Sequence, residues 1–533
     1  MEKVHGMRFT AVLLAAATAV LMAGGCTKSS TGKTSSTAST SSSGMVSDKP
    51  VTFTMLYGDN PNYPFKSDWA TLKEMTKDTN VTLQCTVVPE SDFSTKRTLV
   101  LNSGNIPDIV AESPETAISD YALNGVLLPM SDYVSQMPNF QKFVKDNNYT
   151  ASLDGLKESD SKWYSIPCNA QDTAYQNYLM YIRKDIFDKN NIKIPTTWDE
   201  FYQACVKLKQ IYPNSTPWMN KYNTDNLLGQ IQGSFNVVSS STQELMQYDS
   251  KSQKWVFEPT TSDYKSMLQE LNKFLSAGLL NKQFNTLDKN TFVQNALTGQ
   301  AFIWADWADN EATYTQQGPK NDPNYKISCI APLKGPTGLN KWIGSNRIST
   351  GWVLPATDKN KSDFKTLLKF VDWFYGQQGT DVFTWGVQGT TYSVSSGKKS
   401  YNSDILTIRN LTGTVMPFAS YGVLNNSLTV VKPYEWYKDN YMSESAAEVE
   451  DTIVKNNLLQ TVAPTVAFSS DDKEQVTMLT STLTDYVKSM REKFIYGSAS
   501  FSDWEKFTSD CNTKGAQKLV DYYNKAYKAS KSK

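Results

Sequence analysis

A chain of 533 residues allows about three domains or two large ones, and it carries 53 Lys and Arg against 53 Asp and Glu. That balance argues against nucleic acid as a main partner, because phosphate binding is built on a cationic surplus. The one histidine is His5, so a chain processed beyond it has none, which excludes Ser-His-Asp and Cys-His catalysis and every histidine-ligated metal site.

Lys3 and Arg8 precede an apolar run, Phe9 to Ala23, that is too short to span a bilayer and the right length for the core of a secretory signal. It ends Leu21-Met22-Ala23-Gly24-Gly25-Cys26, which resembles the lipobox of bacterial lipoproteins. The resemblance implies a signal peptide over residues 1–25, a lipid on Cys26, and an address on the extracellular face of the bacterial cell membrane. Removing residues 1–25 takes away Glu2, Lys3 and Arg8, leaving 51 basic against 52 acidic residues and a net charge of −1. Residues 27–47 are almost wholly Ser, Thr, Gly and Lys; with so little apolar surface, 26–49 reads as a flexible tether. Cys85, Cys168, Cys205, Cys329 and Cys511 are scattered and show no metal-ligand spacing, so they read as small buried apolar residues.

The body alternates strands and helices. Val51 to Tyr57 is β-branched and aromatic and stops at Gly58-Asp59-Asn60-Pro61, the signature of a strand running into a loop. A helix over Trp69 to Lys77, a strand over Val81 to Val88, a helix over Phe93 to Leu101 and a strand over Ile106 to Val110 follow. This βαβαβ opening favours a mostly parallel sheet covered by helices, with ligand-facing groups at the carboxyl ends of its strands: Tyr57, Asp59 and Asn60 after the first, Glu112 after the third. Thr197 with Glu200 has the form of a capping box. Apolar stripes at Met267, Leu268, Leu271 and Leu275, at Phe364 to Phe374, and at Val476 to Phe494 predict core-facing helices. Asp358 to Asp363 lacks the sixth-position glycine and twelfth-position glutamate of a calcium loop and reads as a solvated turn. No metal and no cofactor is expected.

Six segments in order then resemble one family: SGNIPDIV at 103–110, GVLLPMSDYV at 125–134, WYSIPCNAQDTAYQNYLMYIRKDIFDKNNIKIPTTWDEF at 163–201, AGLLNKQFNT at 277–286, LTGQAFIWADWADN at 297–310, and FVDWFYGQQGTDVFTWGVQGTTYSV at 370–394. The chain resembles the bacterial extracellular solute-binding proteins of family 1, the carbohydrate-binding lipoproteins of ABC transporters, and among them the large LplA type. The resemblance implies two α/β lobes of mostly parallel sheets flanked by helices, with a saccharide held in the cleft between them. Lobe 1 would hold 50–172 and 352–412, lobe 2 would hold 173–351 and 413–533, and the crossing segments would be Ile166 to Tyr175 and Ser349 to Trp352. It also implies a permease and an ATPase as partners and a monomer as the binding species.

Sugars present apolar CH faces and in-plane hydroxyls, so their sites need aromatic platforms beside hydrogen-bonding side chains. The cluster Trp304, Asp306 and Trp307, following an apparent strand over Ala301 to Ile303, lies where the family commonly puts such aromatics. Further candidates are Arg347 and Trp342 before the second crossing, Asn169, Gln171 and Asp172 at the first, and Trp385, Gln388, Tyr392, Tyr421 and Trp436 in Gly-flanked or aromatic stretches. Near-zero charge favours a neutral saccharide over a polyuronate. Two rival readings use the same residues: a carbohydrate-active enzyme with Glu112 and Asp306 as paired carboxylates, and a lipoprotein that presents sugar as a sensor or adhesin.

Overall fold

The computed structural model describes residues 45–531 apart from 61–63, 176–177, 239–244, 343–346, 349, 403–404, 406–419, 424, 426, 461–462, 465 and 467. The segment expected to be a signal peptide, the expected lipidation site Cys26, most of the expected tether and Ser349 of the expected second crossing lie outside the described residues. Among the described residues the strands are β1 Val51–Asp59, β2 Val81–Pro89, β3 Ile109–Val110, β4 Ser165–Cys168, β5 Ala170–Gln171, β6 Tyr178–Arg183, β7 Trp218–Met219 and β8 Met246–Asp249. They continue with β9 Lys254–Phe257, β10 Ile303–Trp307, β11 Ile327–Ile330, β12 Thr350–Val353, β13 Tyr392–Ser395, β14 Lys398–Tyr401 and β15 Val431–Lys432.

A five-stranded sheet has the order β2-β1-β3-β12-β4 and a four-stranded sheet the order β11-β6-β10-β7; β5 pairs with β15, and the remaining strands form two hairpins. The opening βαβαβ unit is present: β1 runs parallel to both β2 and β3, with the helices Ala70–Thr79 and Glu90–Asn102 as its crossovers. Further along, β12 lies antiparallel to β3 and β4, and β6 antiparallel to β10 and β11, because these strands bring the chain back across each sheet.

Each large sheet has its own core. Phe53, Met55, Trp69, Phe140, Trp352 and Phe374 pack around the first; Ile182, Phe201, Trp218, Phe274, Phe494 and Trp504 pack around the second. The first core also takes in Leu428, Val430 and Val431, so the chain returns to it well after residue 412. Trp352 is fully buried and donates its indole N–H to the Ser427 carbonyl at 2.7 Å, which meets the polar need of a buried indole and ties residue 427 to the first sheet. Between the two bodies, Lys473 on the helix Ser470–Tyr496 donates to Ser119 Oγ at 3.0 Å and Asp120 Oδ1 at 2.8 Å on the helix Glu115–Leu123.

The helix Trp198–Ile211 is capped as its sequence predicts on one side only. Thr197 Oγ1 accepts the Glu200 N–H at 3.1 Å, while the Glu200 carboxylate reaches back to Thr196, one residue beyond the capping-box position. All five described cysteines are free, four of them buried and Cys85 half-buried. Burial pushes the Cys85 and Cys511 thiols up to about 12 and those of Cys168, Cys205 and Cys329 well above their ordinary value.

The segment from Asp358 is not a solvated turn at its first residue. Asp358 is fully buried and pairs with Lys361 at 2.7 Å. Burial raises its pKa from 3.8 to about 6, with the Lys361 hydrogen bond opposing. The folded state therefore holds this proton more tightly than the unfolded one, so the group's contribution to stability is complete below about pH 4 and is lost as pH rises through about 6. Asp358→Asn is expected to stabilise the protein by about 1 kcal/mol at pH 7, with no advantage near pH 4. Chemical denaturation at the two pH values checks this, and an equal effect at both would refute it.

Candidate functional site

A cavity of about 470 Å³ opens at the carboxyl end of the first sheet and is lined from five directions. The helix after β2 supplies Glu90, Phe93, Ser94 and Arg97; the turn after β3 supplies Glu112 and Pro114; the first crossing supplies Asn169 and Gln171; β12 supplies Thr350 and β15 supplies Lys432. Residues 90, 93, 94 and 97 share one helical face. Glu90 and Asp92 in the first turn suit the positive end of the helix dipole.

Arg97 is the cavity's buried cation, only 6% exposed. Its Nη1 donates to the Glu112 carbonyl at 2.7 Å, its one hydrogen bond among the described residues for a guanidinium with five donors. Burial lowers its pKa, opposed by the nearby Glu112. Glu112 holds a left-handed φ of +47°, which is uncommon for a residue other than Gly, Asn or Asp. Its carboxylate accepts the Ser427 hydroxyl, and Ser427 Oγ in turn accepts the Gly58 N–H at 3.2 Å. Burial holds the Glu112 carboxyl above the usual carboxylate range; the Ser427 bond opposes the shift and Glu90 adds to it. A Cβ on Gly58 would lie 2.8 Å from Glu112 Oε1, so glycine lets the carboxylate lie against β1.

Of the residues singled out from the sequence, Glu112, Asn169 and Gln171 line this cavity. Asn60 touches it at one remove, donating Nδ2 to Glu90 Oε2 at 2.6 Å. Tyr57 is instead buried in the first core against Phe65 and Trp69, and Asp59 is spent on the Phe65 N–H at 2.7 Å. Arg347 fastens the two crossings together. Its Nε donates to the Gln171 carbonyl at 3.1 Å, its Nη2 bonds the Asp172 carbonyl, and its guanidinium lies over the Tyr149 ring. Asp172 accepts the Tyr434 N–H at 2.8 Å, at the start of the helix Tyr434–Tyr441.

Trp385, Tyr392, Tyr421 and Trp436 do not wall the cavity. Tyr392 and Trp436 are buried with Tyr175, Tyr401, Tyr434 and Tyr437 in an aromatic cluster, against which Trp385 and Tyr421 pack; Gln388 is exposed on the neighbouring turn.

The predicted Trp304 cluster also needs correction. The strand is Ile303–Trp307, so Trp304 lies within it, fully buried between Tyr181 and Tyr314. Asp306 is likewise fully buried, bound by Lys221 Nζ at 2.6 Å, Tyr314 Oη at 2.7 Å, the Trp307 N–H at 2.9 Å and Asn310 Nδ2 at 3.0 Å. It is a saturated anion in the second body and does not line the cavity that holds Glu112. Trp307 alone of this cluster stays accessible, 45% exposed, with Tyr178 edge-on at 5.0 Å. Trp342 is buried and donates to the Tyr178 carbonyl at 3.0 Å.

Among the described residues no group of three or more His, Cys, Asp or Glu side chains is placed to hold a metal ion, and no helix is long and apolar enough to cross a membrane.

The family model for bacterial extracellular solute-binding protein matches residues 60–381. This chain belongs to that family. The solute-binding protein is 22% identical over 465 residues to the polygalacturonan/rhamnogalacturonan-binding protein YtcQ of Bacillus subtilis (strain 168), covering 86% of this chain and 88% of that one. It is 20% identical over 492 residues to the fructooligosaccharide ABC transporter substrate-binding protein FusA of Streptococcus pneumoniae serotype 4, covering 86% and 87%. In fold it is similar to the alginate-binding protein AlgQ2, with a TM-score of 0.71 and 20% identity over 91% of this chain and 99% of that one. The α/β architecture of two helix-flanked sheets is as expected, but the sheets are mixed and not mostly parallel, since β6 runs antiparallel to β10 and β11, and β12 to β3 and β4.

Proposed function

We propose that this solute-binding protein captures an oligosaccharide in the cavity at the carboxyl end of the first sheet and delivers it to an ABC importer, held at the membrane by a lipid on Cys26. The observation that carries this reading is the pairing of a buried guanidinium with a strained, hydrogen-bonded carboxylate, Arg97 and Glu112, in one recess. Ser94, Asn169, Gln171, Thr350 and Lys432 surround them, a mixture of donors and acceptors matched to sugar hydroxyls. Two acids, Glu90 and Glu112, offset two bases, Arg97 and Lys432, which favours a neutral saccharide. The similarity to YtcQ and FusA supports a carbohydrate ligand. Trp307 offers the apolar face that such a ligand stacks on; its neighbour Tyr178 is seven positions on from Gln171, at most about 25 Å of chain.

On this reading the two bodies are lobes that close on the ligand about the crossing segments, and the protein binds without catalysis as a monomer. The test uses residues 27–533 in thermal-shift assays with cellotriose, maltotriose, 1-kestose and trigalacturonate, followed by calorimetry and product analysis. A ligand at 100 times its Kd adds about 2.7 kcal/mol, an easily read shift. A bound, uncleaved sugar supports the proposal; cleavage, or no shift across the panel, refutes it.

A further inference from the structure

We propose that Tyr222 is a ligand-stacking residue that forms, with Trp307, an aromatic platform for the apolar faces of sugar rings, and that the buried Lys221–Asp306 pair is the positioning element that fixes both. The proposal rests on the saccharide reading above. It begins from an outlier. Tyr222 has a φ of +69°, a left-handed conformation that is costly for a bulky side chain. Yet the ring is 44% exposed, so core packing does not repay the cost.

The surrounding chain over-determines this conformation. Asn220 Nδ2 donates to the carbonyls of Lys221, Asn223 and Phe284 at 3.1, 2.9 and 2.7 Å, and the Asn220 N–H is held by Asn281 Oδ1 at 2.9 Å. The Tyr222 N–H donates to the Leu287 carbonyl at 3.0 Å. Asn223 caps the next helix, Thr224–Gly229. Asparagine, which tolerates the left-handed region, occupies positions 220 and 223, and tyrosine occupies the strained position between them. Strain held this firmly by its surroundings is a mark of functional sites.

The same network reaches Trp307. Asp306 Oδ1 accepts both Lys221 Nζ and the Trp307 N–H. One buried carboxylate oxygen therefore grips the residue before Tyr222 and the backbone of Trp307. Fixing two rings in advance lowers the ordering cost of stacking a ligand on them.

The experiment compares Tyr222→Asn, Tyr222→Phe and the double variant Lys221→Met/Asp306→Leu with the wild type, using cellotriose, maltotriose, 1-kestose and trigalacturonate as probes. Tyr222→Asn is expected to melt at or above the wild-type midpoint while binding the recognised sugar at least tenfold more weakly. Tyr222→Phe, which keeps the ring, is expected to bind within about twofold. The double variant, which refills the buried volume with apolar atoms, is expected to stay folded and to lose affinity like Tyr222→Asn. A lower midpoint for Tyr222→Asn would make the ring a structural prop, and unchanged affinity would remove it from the site; either overturns the platform and leaves the saccharide reading intact. If the wild type binds none of the probes, the saccharide reading fails and the platform falls with it.

Discussion

Lys221→Met, made alone, is expected to cost about 3–5 kcal/mol of folding stability, the largest single-residue effect in the second body outside its core. Lys221 and Asp306 are both essentially inaccessible to solvent and sit 2.6 Å apart. Removing the ammonium leaves a buried carboxylate whose remaining donors, Tyr314, Asn310 and the Trp307 N–H, carry no positive charge. The penalty is therefore the desolvation of an uncompensated anion, more than the loss of one contact. Pairing the change with Asp306→Leu removes that anion and is expected to recover most of the stability, because buried ion pairs exchanged for packed apolar groups are often neutral. Urea unfolding of the two variants and the wild type measures both quantities. A single variant within 1 kcal/mol of wild type would show that the pair is solvated in a way the burial denies.

Arg97→Met is expected to weaken saccharide binding by about 10–100-fold while leaving the fold intact. Methionine is a good helix former, and the helix Glu90–Asn102 loses only the bond from Arg97 to the Glu112 carbonyl. What the ligand loses is a charge-assisted donor set in a desolvated recess, a loss of about 1.5–3 kcal/mol. Arg97→Lys keeps the charge but not the fork and is expected to fall between the two. Calorimetry at two salt concentrations adds a discrimination. Binding of a neutral saccharide is insensitive to salt, whereas a uronate paired with Arg97 and Lys432 weakens as salt rises. Wild-type affinity for Arg97→Met at both salts would remove Arg97 from the site.

The fold was legible where local pattern and tertiary environment agree. Val51 to Tyr57 reads as a strand because much of it is buried in the sheet and is β-branched or apolar; Val81 to Val88, an edge strand exposed along much of its length, reads as one from its β-branched residues, and the parallel pairing followed from the helices between them. The strand boundary at Ile303 was the costly miss. Reading it as ended before Trp304 turned a core indole into a cleft residue, although every side chain from Ile303 to Asp306 is buried and only Trp307, at the end of the strand, is exposed. The aromatics Tyr392 and Trp436 were misread for a related reason: glycine-flanked aromatic stretches look like surface loops until several pack on one another.

The site was legible in part. Glu112, Asn169 and Gln171 follow from the rule that ligands sit beyond the carboxyl ends of strands. Arg97 was readable too, since the spacing of Glu90, Phe93, Ser94 and Arg97 puts them on the face that follows β2. Lys432 and Thr350 were not readable, because only the pairings of β15 with β5 and of β12 with β4 bring them to the recess, and no local pattern records such long-range registry. Tyr222 carries no sequence signal at all; its backbone torsion is what sets it apart.

Among the described residues, four enclosed thiols and the half-buried Cys85, all held above their ordinary value, make the protein a convenient background for spectroscopy. At neutral pH a thiol held near 12 or above is almost wholly unionised and a poor nucleophile toward maleimides. A single cysteine introduced at Asp120, which is 79% exposed beside Lys473, would therefore take one fluorophore in a chain beginning at Thr27, without stripping the native cysteines first. That dye would sit at the seam where the helix Glu115–Leu123 meets the helix Ser470–Tyr496, and a change in its emission on adding sugar would test the proposed closure of the two bodies directly.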